Sequence, residues 1–214
     1  MRNRLLALLA AVAGACLAAA PALAHPHVWV VMKSEFAYAP DGSVIGVRHA
    51  WTFDDMFSTF ATQGLEQKTK GVFTREELAP LAEVNMTSLK EFEYFTYGKI
   101  DDKKTSFAAP KDYWLEFKNN ELTLHFTLPL AAPVKAKSLS FEVYDPSYYV
   151  DFAFAEQDAV KLAGAPAACK VTVGKPQEMT KDLAQMLAQI SPSQQIPANS
   201  YGAQFANRVA VACP

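Results

Sequence analysis

The stretch from Val28 to Phe53 leaves the chain little choice of fold. Val28, Val30, Met32, Phe36 and Tyr38 occupy even positions, with Lys33 and Glu35 between them. A period of two marks a strand with one apolar face, because successive side chains of an extended chain point to opposite sides. Pro40-Asp41-Gly42-Ser43 follows, and Asp-Gly between alternating runs is a hairpin signal. Ile45, Val47, His49, Trp51 and Phe53 then share one face. A two-residue loop at Asp41-Gly42 predicts that Tyr38 meets Ile45, Phe36 meets Val47, Met32 meets Trp51 and Val30 meets Phe53. A slip of one residue would send the two apolar faces to opposite sides, so burial favours this register. The same register sets Asp54 across from Trp29, on the face that carries His27, while His49 falls among core residues.

Beyond Asp54 the period changes to three-to-four, predicting helices over about residues 55–69 and 75–90. Thr74 and Glu77 form a capping box for the second. Strand patterns return at Phe92–Ile100, Lys104–Ala108, Tyr113–Phe117, Leu122–Leu128, Ser138–Tyr144, Tyr149–Phe154 and Cys169–Val173. Asp101-Asp102 and Asn119-Asn120 mark tight turns between them. A short helix over 178–189, an exposed loop over Ser191–Gly202 and a last strand over Phe205–Cys213 complete the reading. The expected fold is mainly β or α+β: an antiparallel β-sandwich-like domain with a helical pair inserted after the first hairpin.

The first residues read as an export signal. Arg2 and Arg4 precede an apolar run from Leu5 to about Ala20, and Ala22-Leu23-Ala24 is a small-x-small cleavage site. The run is short for a membrane span, and an anchor at Cys16 lacks the large aliphatic residue expected before it. Residues 1–24 are therefore set aside as a signal peptide, with 25–214 as a single exported domain. Without Arg2 and Arg4, 18 basic residues face 22 acidic ones, a net charge of −4 with no basic block, which argues against nucleic acid. Cys169 and Cys213 remain, and in an oxidising compartment they are expected to form one disulfide.

Cleavage after Ala24 would make His25 the first residue, followed by Pro26 and His27. An N-terminal histidine offers an amine and an imidazole that together can chelate one ion, and imidazole suits copper, nickel and zinc. Pro26 lacks the amide N–H that would allow a square amide site. His27 could add a second ring, and Asp54 could complete or orient the set. The bland alternatives are solvated rings at a strand start and Asp54 as a helix N-cap. Asp145, before Pro146, is a possible additional ligand or a turn residue. His49 is a further possible ligand, although its pattern favours the core. His125 is expected at the surface. No Gly-x-Ser-x-Gly, phosphate loop or His-Glu-x-x-His occurs, which weighs against a hydrolase or nucleotide enzyme.

His25-Pro26-His27-Val28-Trp29-Val30, Trp51-Thr52-Phe53-Asp54-Asp55 and Tyr144-Asp145-Pro146-Ser147-Tyr148-Tyr149-Val150-Asp151-Phe152 together resemble a bacterial family of unknown function. That family is usually labelled the periplasmic component of an uncharacterised ABC-type transport system. The resemblance implies a periplasmic location and an accessory or substrate-binding role beside an inner-membrane nickel, cobalt or zinc transporter. The His25-Pro26 start is also similar to periplasmic copper-binding β-sandwiches of the CopC type, which adds copper. The preferred expectation is a non-enzymatic carrier of a divalent transition metal, bound by His25, His27 and Asp54. One alternative is a copper-dependent oxidoreductase using the terminal histidine. The other is a metal-free docking partner of a transporter, using Trp29, Trp51, Trp114 and the Tyr148-Tyr149 pair.

Overall fold

The structure, a computed structural model, describes residues 26–187 and 201–214. The proposed signal segment, His25 and most of the Ser191–Gly202 loop lie outside the described residues. Strands β1 (Val28–Tyr38) and β2 (Val44–Phe53) form the expected hairpin, with Val30 facing Phe53, Met32 facing Trp51 and Phe36 facing Val47.

The turn is longer than the two residues expected. The Gly42 N–H donates to the Ala39 carbonyl at 2.9 Å, and the Ala39 N–H donates to the Ser43 carbonyl at 2.8 Å. Gly42 takes the left-handed position such a loop needs, with φ 82°. Tyr38 consequently faces Val44, and a bulge at Ile45 restores the register at Ala37 and Gly46. At that point the neighbouring backbone is very close: a Cβ on Gly46 would lie 2.4 Å from the Leu128 carbonyl oxygen.

Helices α1 (Asp55–Thr62) and α2 (Arg75–Leu89) follow. α1 is shorter than the periodicity predicts, and the chain turns away at Gly64, φ 81°. α2 begins at the expected capping box: the Glu77 N–H donates to Thr74 Oγ1, and the Thr74 N–H donates to the Glu77 carboxylate. It buries Leu78, Ala82 and Met86.

The remaining strands are β3 (Thr96–Ile100), β4 (Lys103–Thr105), β5 (Lys111–Lys118), β6 (Glu121–Val134), β7 (Ser138–Val143), β8 (Val150–Phe154), β9 (Val160–Ala163), β10 (Lys170–Val173) and β11 (Asn207–Ala212). A short α3 (Lys181–Leu187) precedes β11. The strand expected from Phe92 starts only at Thr96, because Glu93, Tyr94 and Phe95 are left-handed, with φ 51°, 53° and 49°. That turn delivers both Tyr94 and Phe95 to the interior. The tight turns at Asp101-Asp102 and Asn119-Asn120 have positive φ at both residues, as their composition predicts.

Two sheets face each other across the core. One runs β5-β6-β2-β1-β8, with β9 also pairing β1; the other runs β10-β11-β7-β3-β4. The mainly β, α+β expectation is therefore met, with one difference. β8 and β9 run parallel to β1, so the larger sheet is mixed rather than wholly antiparallel. Among the described residues no helix is long and apolar enough to cross a membrane.

Trp51, Phe126, Phe141 and Met32 are among the largest fully buried side chains. His49 lies among them. Its Nδ1 is 2.9 Å from Ser34 Oγ, and its Nε2 is 3.3 Å from Thr96 Oγ1, so it bridges the two sheets. Burial pushes its pKa down to about 3. Both ring nitrogens are engaged on the inner face, so the structure does not bring His49 to the strand start where His27 lies. Asn207 makes a second polar link, donating from Nδ2 to the Phe152 carbonyl at 2.5 Å. Cys169 and Cys213 are bonded, with Cα atoms 4.2 Å apart, and fasten the end of β11 to the start of β10.

Two outcomes are expected. On unfolding, the His49 ring recovers an ordinary pKa near 6.5 and takes up a proton that the native ring excludes. Its contribution to stability is full above that pH and is lost as pH falls toward about 3. The slope from this one residue reaches about 1.4 kcal/mol per pH unit. Urea denaturation across that window should show a flatter pH dependence for His49→Gln. Separately, the disulfide closes a loop of 44 residues, worth about 4 kcal/mol in the chain-entropy view. Cys169→Ser with Cys213→Ser should lower the urea midpoint by a corresponding amount.

Candidate functional site at the start of the first strand

Three segments far apart in the sequence meet where β1 begins. On one flank, the His27 and Val28 N–H groups donate to the Tyr149 carbonyl at 2.9 and 3.3 Å. On the other, the Asp54 N–H donates to the Trp29 carbonyl at 3.0 Å, and the Trp29 N–H donates back to Asp54 Oδ2 at 2.9 Å. Asp54 Oδ1 accepts the Phe57 N–H at 2.8 Å and so caps α1. One carboxylate thus ends β2, starts a helix and clasps the first strand.

Asp145 builds the opposite flank. It is only 3% exposed. Its Oδ1 accepts from the Ser147 N–H and hydroxyl, each at 2.8 Å, and its Oδ2 accepts the Val150 N–H at 3.0 Å. The Asp145 carbonyl takes the Tyr148 N–H at 3.0 Å. These bonds hold Tyr148 in the left-handed region, φ 55°, and aim the Tyr149 carbonyl at β1. A glycine supports the loop from outside: a Cβ at Gly202 would stand 1.9 Å from the Asp145 carbonyl oxygen. Gly202 is buried, whereas the sequence pattern predicts an exposed loop there.

The side chains on the outer face form the accessible part. His27 is exposed, and its ring centroid lies 4.7 Å from that of Tyr149. Trp29 and Tyr149 are also exposed, at 45% and 43%. Asp151 stands directly opposite Trp29 in the parallel register. The Tyr148 phenol lies beside the Asp151 carboxylate. Burial raises the Asp151 pKa, and burial together with the Asp151 charge pushes Tyr148 up to about 12. The phenol therefore stays protonated beside the carboxylate.

The structure thus brings His27, Asp54 and Asp145 around one strand start, and it adds Asp151. His25 lies outside the described residues, and His49 is in the core. Asp145 is a structural loop centre whose oxygens are already taken. Among the described residues no group of three His, Cys, Asp or Glu side chains is arranged to hold a metal. Asp151 was missed as a site residue, although a carboxylate between Val150 and Phe152 in an apolar strand is the signal that could have found it.

The aromatic set divides. Trp51 is 1% exposed and Tyr148 7%, so both belong to the interior. Trp114 stacks on His125 at 3.9 Å, with Arg75 above it at 4.7 Å. His125, expected at the surface, is half-buried under that stack. Only Trp29 and Tyr149 of the expected docking aromatics are open.

Residues 10–213 match the family described as "Protein of unknown function (DUF1007)". The chain belongs to this DUF1007 family. An uncharacterized protein of Haemophilus influenzae is 25% identical over 195 residues, spanning 89% of this chain and 92% of that protein. An uncharacterized 15.5 kDa protein in the trpE 3′ region of Spirochaeta aurantia is 29% identical over 105 residues, spanning 49% of this chain and 70% of that protein. The DUF1007 match includes all three segments that converge on His27.

Asp145→Ala removes the centre of the loop and leaves the Ser147 and Val150 N–H groups without their acceptor. It should destabilise the protein by about 2–4 kcal/mol in urea denaturation. Amide hydrogen exchange at His27 and Val28 should quicken more than at Met32, because the Tyr149 carbonyl loses its placement.

Proposed function

We propose that this protein is a periplasmic accessory or substrate-binding protein of a transition-metal transport system. Its cargo is a divalent nickel, cobalt, zinc or copper ion, held at the start of β1 and passed to an inner-membrane transporter. The observation that supports this best is the convergence on His27. The Tyr149 carbonyl and the Asp54 carboxylate grip the strand by its backbone. That grip leaves the His27 imidazole on the outside, on the same face as the Asp151 carboxylate.

The donor chemistry is suited to a cargo rather than to a closed structural site. Imidazole and carboxylate oxygen both accept borderline divalent ions. The described side chains supply one imidazole and nearby carboxylates, short of a full coordination shell. The amine and ring of His25, after cleavage at Ala24, are the groups that would complete it. An incomplete, exposed ligand set exchanges its ion readily, which a carrier requires. Asp54 acts chiefly by positioning, since both of its oxygens already accept backbone N–H groups.

A second reading, a metal-free docking partner of a membrane transporter, draws on the same place. Trp29, Tyr149 and Val31, the last 50% exposed, present apolar surface there.

Native mass spectrometry of the exported protein, with its N-terminus sequenced, separates the two. The metal reading expects a chain beginning at His25 that retains one nickel, cobalt, zinc or copper ion. His27→Ala should weaken binding roughly tenfold or more, and Asp151→Asn should weaken it with the fold intact. Affinity should fall as pH is lowered, because protons compete for the same nitrogens. A chain beginning at His25 that binds none of the four ions would leave the docking reading.

A further inference from the structure

The outer face of the second sheet carries a groove unrelated to the strand-start site. Its floor is made of small side chains: Ser140 of β7 lies opposite Ala210 of β11, which lies opposite Thr172 of β10. Its rim is made of long ones. Lys99 of β3 flanks Ser140 on the other side, and Tyr97 and Arg208 flank Glu142 in the next row. Small centres within long borders make the surface concave, and the groove encloses about 500 Å³. That volume lies within the ordinary range for small-molecule sites.

Its electrostatics are unbalanced. Lys99 stands directly opposite Lys104 across the β3–β4 ladder. Like charges in that position destabilise a sheet. Glu142 does not relieve them, because Arg208 holds it at 2.7 Å. Glu93 approaches Lys104 only to 3.9 Å, between side chains 61% and 73% exposed, a weak pairing. Among the described residues Lys99 has no ion-pair partner. The neighbouring wall is aromatic: the Tyr97 and Tyr144 rings lie 4.6 Å apart. Burial comes first in raising both phenols; the neighbouring Tyr144 and then Glu93 add to it at Tyr97, and Glu142 and Glu93 add to it at Tyr144, so both remain neutral O–H donors.

We propose that the groove bounded by Lys99, Lys104, Tyr97 and Tyr144 binds a small organic anion with a flat apolar face, of the aromatic carboxylate class. The anionic group lies between the two ammonium groups and relieves their repulsion. The ring lies along the tyrosine wall, over Ser140 and Ala210. A neutral ligand of the same shape would leave the lysine pair uncompensated, so charge sets the preference.

The test is a nitrogen-15 NMR titration of the exported protein with 1-naphthoate, and in parallel with neutral 1-naphthalenemethanol. Naphthoate should give saturable shifts at Lys99, Ser140 and Ala210, and the alcohol should bind about tenfold or more weakly. Lys99→Gln with Lys104→Gln should reduce naphthoate affinity about tenfold or more. The same pair should raise the urea midpoint of the unliganded protein, because the repulsion is gone. Lys33→Gln, on the other sheet, should leave naphthoate affinity unchanged. Shifts that do not saturate or that map elsewhere overturn the proposal. So does equal binding of the alcohol, undiminished binding by the double variant, or an equal loss in Lys33→Gln.

Discussion

The architecture depends on β1 being held from both sides. It pairs antiparallel with β2 over most of its length, and parallel with β8 and then β9 on its other edge. A strand in that position must bury its even-numbered side chains and can leave only one face to solvent. Its beginning is the weak point, because a strand end has backbone donors with no continuing ladder. The Tyr149 carbonyl and the Asp54 carboxylate fill that gap. Because backbone groups carry the attachment, the outer side chains at this end need not be spent on structure.

The same distinction separates the other polar groups. Asp145 is buried and its oxygens accept several hydrogen bonds, so it shapes a loop and has little capacity left for a ligand. His49 is likewise satisfied by two hydroxyls and acts as a polar pin between the sheets. A buried imidazole with both nitrogens engaged specifies how the sheets face each other, since sliding either sheet would strand a nitrogen without a partner. His27 and Asp151 differ. His27 is exposed, and Asp151 is half-buried on the outer face opposite Trp29.

Much of the fold was legible because it is local. Alternation from Val28 to Phe53 gave the hairpin and its apolar face, and Thr74 with Glu77 marked the start of α2. Paired Asp and Asn residues marked two turns that indeed need positive φ. The rest depends on contacts distant in sequence. Parallel pairing of β1 with β8 joins residues more than a hundred positions apart and leaves no turn signal. The segment from Glu93 to Phe95 reads as strand, being aromatic, yet it turns left-handed because burying Tyr94 and Phe95 together outweighs the local backbone cost. The bulge at Ile45 was hidden because a three-residue loop and one extra residue cancel in the register. At the site, Asp54 was legible twice over, as a cap and as a neighbour of Trp29, and the structure makes it both. Asp151 was not, because only the β1–β8 pairing brings it to Trp29.

Exposure alone does not identify the groups available for binding. Trp51 Nε1 is buried among packed rings without a hydrogen-bond partner, and His125 Nε2, stacked under Trp114, faces the Glu116 carboxylate at 3.6 Å. The two proposed sites combine access with chemistry suited to a ligand. At the start of β1 the proposed metal cargo would meet an imidazole and a carboxylate on one face, and among the described residues no group of three such side chains is arranged to hold an ion. On the second sheet the proposed anion would meet two lysines in register over a floor of small side chains. The two proposed ligands have opposite charge, and their sites lie on different sheets. Neither site draws on the polar pins that link the two sheets, His49 with Ser34 and Thr96, and Asn207 with the Phe152 carbonyl.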